Sequence, residues 1–169
     1  QEILARQGVE IETGERLRHS GGDTIDLGSV WVDRPQTPFP AALVPVQQRA
    51  NRRLGPVTLL GYDAYRKDFA HAPQTPLPPG DTLHVVLYWQ APDPLPAGWP
   101  PDLTATLRLG DQAVIAPLGG PTYPTAQWQA GDLVRSQIDI VYDGTGTQPV
   151  IEVAGENVPL SVGEILTAD

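Results

Sequence analysis

Apolar and polar residues alternate in several short stretches of this chain. From Leu83 to Trp89 every second residue is a large apolar one, with His84, Val86 and Tyr88 between them. Residues two apart on a β-strand point to the same face of the sheet. The stretch therefore predicts a strand, and because both of its faces are largely apolar we place it centrally in a sheet.

Six further stretches have the composition or the alternation of strands, and in two of them the outward positions are polar. They are residues 57–65, 103–109, 112–115, 134–142, 150–153 and 158–166. Turn-forming Gly, Pro and Asp residues separate them. About seven short strands at this spacing predict an all-β fold, a two-sheet antiparallel β-sandwich that is immunoglobulin-like or a jelly-roll.

Proline divides the chain into three parts. Residues 1–34 contain none, whereas 14 of the 19 prolines lie between residues 35 and 101. We predict an N-terminal β segment over 1–34, an extended proline-rich tether over 35–53, and the β-sandwich domain over 54–169. Residues 25–34 also resemble residues 160–169 in their order of apolar, polar and Gly positions. Residues 1–34 are thus either the end of a preceding repeat or a segment that shares a common type of final strand.

Composition and charge narrow the classes of partner. The 169 residues carry a net charge of −9, which argues against binding nucleic acid or an anionic membrane through bulk charge. We also expect no membrane insertion by this piece. There is no Cys, which excludes disulfides and Cys-ligated metals, and no run of apolar residues is long enough to span a membrane. The absence of Met predicts a mature product or a piece of a larger protein.

Catalytic motifs are absent. The three histidines are scattered, and the chain has no zinc-hydrolase spacing, no nucleophile elbow and no phosphate-binding glycine loop. His84 is predicted to be a hydrogen-bonded structural residue. The carboxylates fall in turns or on polar strand faces, and Asp139 with residues 143–146 lacks the dense pattern of a calcium loop. We therefore predict no catalytic residue, no metal site and no cofactor, with a glycoside-acting enzyme as a remote alternative.

Aromatic residues in loops are the remaining candidates for recognition. Trp89 is predicted to be core, whereas Trp99 lies in a proline-rich loop and Tyr123 and Trp128 lie in another. Aromatic rings offer apolar faces and polar edges that suit sugars or proteins. Trp99, Tyr123 and Trp128 are therefore our candidate ligand-binding residues. The alternative is that these side chains fold back and close the open end of the sandwich.

Residues 54–167 together resemble a known kind of region. The segments that carry the resemblance are 59–63, 79–83, 87–89, 123–125 with Trp128, and 131–134. They are similar to soluble C-terminal regions of bacterial polytopic membrane proteins of the glycosyltransferase-39 kind, the dolichyl-phosphate-mannose protein mannosyltransferase-like group. The resemblance implies a non-catalytic β-sandwich outside the cytoplasm, with the transferase chemistry in the membrane part. Residues 147–155 lack the Gly-x-Tyr ending common in the penultimate strand of such regions.

These observations lead to one expected function and one alternative. We expect a non-catalytic accessory domain of a larger membrane-anchored bacterial surface protein, located outside the cytoplasm. Its partners would be the remainder of its own parent chain and a glycan or cell-surface protein. The alternative is a carbohydrate-binding module that uses the loop aromatics.

Overall fold

The apolar residues of the alternating stretches form the buried faces of two sheets. Along Leu133–Val141 the side chains are alternately buried and exposed, so that Val134, Ser136, Ile138 and Ile140 point inward and the residues between them point outward. The structure, a computed structural model, describes residues 39–166. The predicted segment over 1–34 and the repeat that it suggested lie outside the described residues.

Eight strands form two antiparallel four-stranded sheets. The strands are Gln48–Leu54 (β1), Val57–Arg66 (β2), Thr82–Gln90 (β3), Thr104–Leu109 (β4), Gln112–Pro117 (β5), Leu133–Val141 (β6), Val150–Val153 (β7) and Glu156–Pro159 (β8). Sheet 1 has the order β1-β2-β3-β6 and sheet 2 the order β5-β4-β7-β8. Three single turns of 3₁₀ helix, at Ala41–Leu43, Thr125–Gln127 and Gly163–Ile165, are the helical elements of this region.

The inner faces of both sheets share one hydrophobic core. Leu87 and Trp89 of sheet 1 and Leu107 and Ile151 of sheet 2 are fully buried members of the same cluster. The prediction of an all-β, two-sheet antiparallel sandwich is confirmed, and Trp89 is a core residue as predicted. No helix within residues 39–166 is long and apolar enough to cross a membrane.

The first strand of sheet 1 lies inside the segment predicted as a tether. Gln48–Leu54 pairs with β2 at the edge of the sheet, so the sandwich begins before residue 54. Only Leu54 of this strand is buried, and its other residues are polar or small. Such a sequence lacks the apolar alternation that predicts a strand, and its pairing partner supplies the structure instead.

The structure also corrects the bounds of the last predicted strand. We predicted a strand over 158–166, but β8 ends at Pro159 and the chain continues into the 3₁₀ turn at Gly163–Ile165. Leu160, Ile165 and Leu166 are nevertheless buried in the core. Apolar residues thus reach the core here from irregular backbone. Because residues 160–166 do not form a strand, their similarity to the N-terminal segment does not support a repeated strand.

Candidate functional site

The three candidate aromatic residues meet at one end of the sandwich. The loop after β3, residues 91–103, carries Trp99, and the loop before β6, residues 118–132, carries Tyr123 and Trp128. The ring centroids of Trp99 and Trp128 lie 6.1 Å apart, with their planes at 37°. That separation is within the range of interacting aromatic pairs. We call Trp99, Tyr123 and Trp128 the aromatic cluster.

Hydrogen bonds within the domain engage the polar atoms of the cluster. Trp99 Nε1 donates to the carbonyl oxygen of Thr125 at 2.8 Å, and Trp128 Nε1 donates to that of Tyr123 at 3.1 Å. The Tyr123 hydroxyl lies 2.8 Å from Asp132 Oδ2 and 3.1 Å from the Gln127 carbonyl oxygen. The polar edges of the rings therefore hold the loops.

Thr125 joins the two loops beneath the cluster. This residue is 1% exposed, and its hydroxyl oxygen accepts from the Leu103 backbone N–H at 2.9 Å and donates to the Pro101 carbonyl oxygen at 2.7 Å. A buried hydroxyl with both roles satisfied costs little to bury and fixes its surroundings. Thr125 thus helps to fasten the two loops to each other, and the neighbouring Ala126 backbone N–H also donates to the Pro101 carbonyl oxygen, at 2.8 Å.

The three aromatic side chains differ in how far solvent reaches them. Trp128 is 3% exposed and belongs to the core cluster, whereas Trp99 and Tyr123 are half-buried and pack against it. Trp128 therefore closes the end of the sandwich and presents no open face. The structure brings all three residues together and leaves Trp99 and Tyr123 as the two that a ligand can reach.

A row of polar and aromatic side chains crosses the outer face of sheet 1. Tyr65, His84 and Asp139 are direct cross-strand neighbours on β2, β3 and β6. His84 Nδ1 lies 2.5 Å from Asp139 Oδ1, and Lys67 Nζ donates to Asp139 Oδ2 at 2.7 Å. The rings of Tyr65 and His84 are 5.2 Å apart. We call these four residues the outer row. His84 is thereby the hydrogen-bonded histidine that its place in the strand predicted.

Opposing effects act on the carboxyl group of the outer row. Partial burial works to raise the pKa of Asp139, but the hydrogen bonds and charges of Lys67 and His84 together outweigh it, so the pKa is lowered. The same hydrogen bond to Asp139 raises the pKa of Lys67. Within the outer row, Lys67 and Asp139 therefore form an ion pair at neutral pH, and the same carboxylate is also hydrogen-bonded to His84 Nδ1.

A neighbouring network joins the chain before β1 to sheet 1. Asp63 Oδ1 accepts from the Gln47 backbone N–H at 2.6 Å, and Asp63 Oδ2 accepts from the Tyr88 hydroxyl at 3.0 Å. Burial raises the pKa of Tyr88, and the hydrogen bond to Asp63 raises it further. The carboxylate thus anchors residue 47 on the outer face.

Sequence reasoning identified the aromatic cluster but missed the outer row. Asp139 was interpreted as a solvated residue on a polar strand face, and Lys67 was not singled out for chemistry. The outward positions of His84 and Asp139 were predictable from alternation, but their juxtaposition depends on the register of β3 against β6. Within residues 39–166, no three His, Asp or Glu side chains are grouped so that they could hold a metal ion.

Comparison of the chain with protein-family models, with curated proteins and with solved structures gave no match. The resemblance of residues 54–167 to the glycosyltransferase-39-like regions therefore stays a prediction.

Proposed function

We propose that this chain is a non-catalytic accessory domain that acts outside the cytoplasm as part of a larger, membrane-anchored bacterial surface protein. Its role would be to position a contact surface for a glycan or for another cell-surface protein. The sequence resemblance supports the location and the parent protein. One structural observation, the internally fastened aromatic cluster, carries the proposal of a contact surface.

The cluster supports this role because it gives long loops a fixed shape. Residues 91–103 and 118–132 would each be free to move if they were joined only at their strand ends. The hydrogen bonds of Trp99 and Thr125 and the packing of Trp99 against Trp128 instead tie them together. A surface that is ordered before binding loses less conformational entropy when a partner arrives.

The proposed location can be tested on intact bacteria that carry the gene. An epitope tag inserted between Thr147 and Gln148, two exposed residues of the loop between β6 and β7, should leave the core undisturbed. We expect antibody to label the tagged protein on unpermeabilised cells, with a tagged cytoplasmic protein as the negative control. Labelling that appears only after permeabilisation would refute the proposed location.

A carbohydrate-binding module is the second candidate function, favoured by the half-buried rings of Trp99 and Tyr123 in the two loops of the aromatic cluster. A sugar ring stacked on an indole should lose about tenfold in affinity when Trp99 becomes Ala. The measurement is a glycan array on the whole chain, with Phe39→Ala as the matched control because Phe39 is an aromatic residue 55% exposed outside the cluster.

Two results distinguish the outcomes of the array. Binding that weakens for Trp99→Ala and persists for Phe39→Ala supports the module, provided that circular dichroism shows both variants folded. A blank array with the folded wild-type chain removes the carbohydrate-binding candidate and leaves a protein partner. Trp128→Ala is unsuitable as a probe because that side chain is buried and its loss would unfold the loops.

A further inference from the structure

A polar pocket lies at the opposite end of sheet 1 from the aromatic cluster. It has a volume of about 270 Å³ and is bounded by Gln47, Gln48, Ala64, Pro73, Gln74 and residues 161–163. Ala64 is near the end of β2, which pairs with the start of β3, whereas the aromatic cluster follows the end of β3. The pocket is therefore a separate site, which the proposed function does not use.

Three segments that are distant in the chain form its walls, and hydrogen bonds hold them together. The Tyr62 hydroxyl accepts from the Ser161 backbone N–H at 2.5 Å and lies 3.3 Å from the Ser161 carbonyl oxygen. The Leu77 backbone N–H donates to the Ile165 carbonyl oxygen at 2.8 Å, which joins the loop after β2 to the segment after β8. The pocket is thus formed before any ligand enters it.

The chemistry of the lining specifies the ligand class. Gln47, Gln48, Gln74 and Ser161 are among the lining residues, and none of the lining residues that the structure describes carries a charge. A glutamine amide offers a donor and an acceptor side by side, which matches adjacent hydroxyl groups that can each do both. Among these described residues an ionic ligand would find no charge to compensate for its lost hydration.

The glutamines differ in how free they are to bind. Gln47 Oε1 accepts from the Ala64 backbone N–H at 3.1 Å, which leaves its Nε2 group as a donor. The side chains of Gln48 and Gln74 make no hydrogen bond to any described residue and are exposed at the pocket. Pro73 and Val162 add an apolar portion to the lining, suited to the C–H face of a sugar ring.

The volume fits a small ligand. At about 270 Å³ the pocket is slightly smaller than the pockets of about 300 Å³ or more that take drug-sized ligands. We infer that this pocket binds one neutral sugar unit, through the amides of Gln48 and Gln74 and the hydroxyl of Ser161.

The test is a titration of the ¹⁵N-labelled chain with methyl α-D-glucopyranoside, methyl α-D-mannopyranoside and N-acetylglucosamine, followed by NMR. We expect at least one of them to shift the backbone amides of residues 161–163 and the side-chain amide of Gln74. Gln74→Ala should weaken that binding at least tenfold and Ser161→Ala several-fold. Gln148→Ala is the matched control, an exposed glutamine in the loop between β6 and β7, and should leave affinity unchanged.

Three results would overturn the inference. The first is that none of the three sugars shifts the pocket amides at any concentration up to the solubility limit of the sugar. The second is that Gln74→Ala and Ser161→Ala bind as the wild type does. The third is that the shifts cluster at Trp99 and Thr125 instead, which would support carbohydrate binding at the aromatic cluster while removing this pocket as a site.

Discussion

Asp139 is the residue at which the balance of local forces is clearest. Its carboxylate is 40% exposed and holds both His84 and Lys67 on the outer face of sheet 1. His84 lies on β3 and Lys67 in the loop after β2, so the Asp139 carboxylate links β6 to β3 and to the end of β2. Exposed ion pairs contribute little individually, about 0.2 to 1 kcal/mol.

Replacement of Asp139 by Asn should therefore lower stability in a pH-dependent way. The pKa of Asp139 is lowered in the folded protein, so its contribution is present above the pKa of the unfolded chain and is lost as the pH falls through the folded value. We expect Asp139→Asn to cost about 0.5 to 1 kcal/mol at pH 7 and less at pH 2 to 3. Urea unfolding at both pH values measures this difference.

The matched control is Asp111→Asn, which changes an exposed carboxylate in the turn between β4 and β5. It should have little effect at either pH. An Asp139→Asn penalty that is equal at pH 7 and pH 2 to 3 would contradict the ion-pair interpretation.

A buried hydrogen bond in the core gives a larger expected effect. Trp89 Nε1 donates to Ser136 Oγ at 2.8 Å, and the two residues are 0% and 7% exposed. Ser136→Ala would leave the indole N–H buried without its acceptor, at a cost of about 1 to 3 kcal/mol. Chemical denaturation should show that loss, whereas Ser161→Ala, which removes an exposed hydroxyl, should leave stability unchanged. Equal stability of the two variants would contradict the argument.

At the scale of elements, one arginine orders the chain that leads into β1. The Arg49 guanidinium donates to the carbonyl oxygens of Ala41 at 3.1 Å and Ala42 at 2.8 Å, and it also contacts that of Val44. These carbonyl groups belong to the 3₁₀ turn at Ala41–Leu43 and the residue after it, and a cation suits that position. Arg49 therefore holds a segment that has little buried surface of its own.

Arg49→Ala should release this segment and leave the sandwich folded. Hydrogen exchange at the Val44 amide, which donates to the Ala41 carbonyl oxygen at 3.3 Å, should become about tenfold faster. Arg52→Ala is the matched control, since Arg52 is an exposed arginine on the same strand with no side-chain hydrogen bond to a described residue. Equal exchange in the two variants would show that Arg49 does not order the turn.

Glycine is required where this segment crosses sheet 1. A Cβ at position 61 would lie 2.5 Å from the Gln48 carbonyl oxygen and 2.8 Å from Val46 Cγ2. Gly61 thereby permits the chain before β1 and the start of β1 to approach β2 closely. Any side chain at this position would push β1 away from the sheet edge.

The elements that sequence could predict are those whose own side chains form the core. β3 and β6 alternate because one face of each lies on the core, and their bounds were predicted to within about a residue. β1 was not predicted, because it is held at its edge by backbone pairing with β2. The segment after β8 was wrongly predicted as a strand because its leucines and isoleucine are buried without sheet pairing.

At the scale of the whole molecule, the two sheets share one hydrophobic core, and we expect them to unfold as a single cooperative unit. Leu107 of sheet 2 and Leu87 of sheet 1 are both 0% exposed in one cluster. A cavity on either side of the core should therefore destabilise both sheets together.

Leu107→Ala tests this cooperation. We expect a loss of about 2 to 5 kcal/mol, with the Trp89 indole NMR signal and far-ultraviolet circular dichroism reporting the same urea midpoint. Ile115→Ala, at an exposed position on β5 (69% exposed), should cost less than about 0.5 kcal/mol. Separate midpoints for the two signals in Leu107→Ala would mean that the sheets unfold independently.

The candidate sites show the same division between local and long-range information. The aromatic cluster was predictable because the prolines around its residues identify these stretches as loops. The outer row and the polar pocket were not, because Lys67 meets Asp139, and Gln47 and Ser161 come to line one pocket, only after the strands and loops have taken their register. Spacing in the sequence carries no signal of those encounters.

The outer row also determines how this protein will react with amine reagents. Lys67 is the only lysine in the chain, so an activated ester or an aldehyde finds a single side-chain amine. Because Asp139 raises the pKa of that amine, less of it is in the reactive neutral form at a given pH. The labelling rate of Lys67 therefore reports whether the outer row is intact, and coupling through it would attach every molecule to a support by the same face.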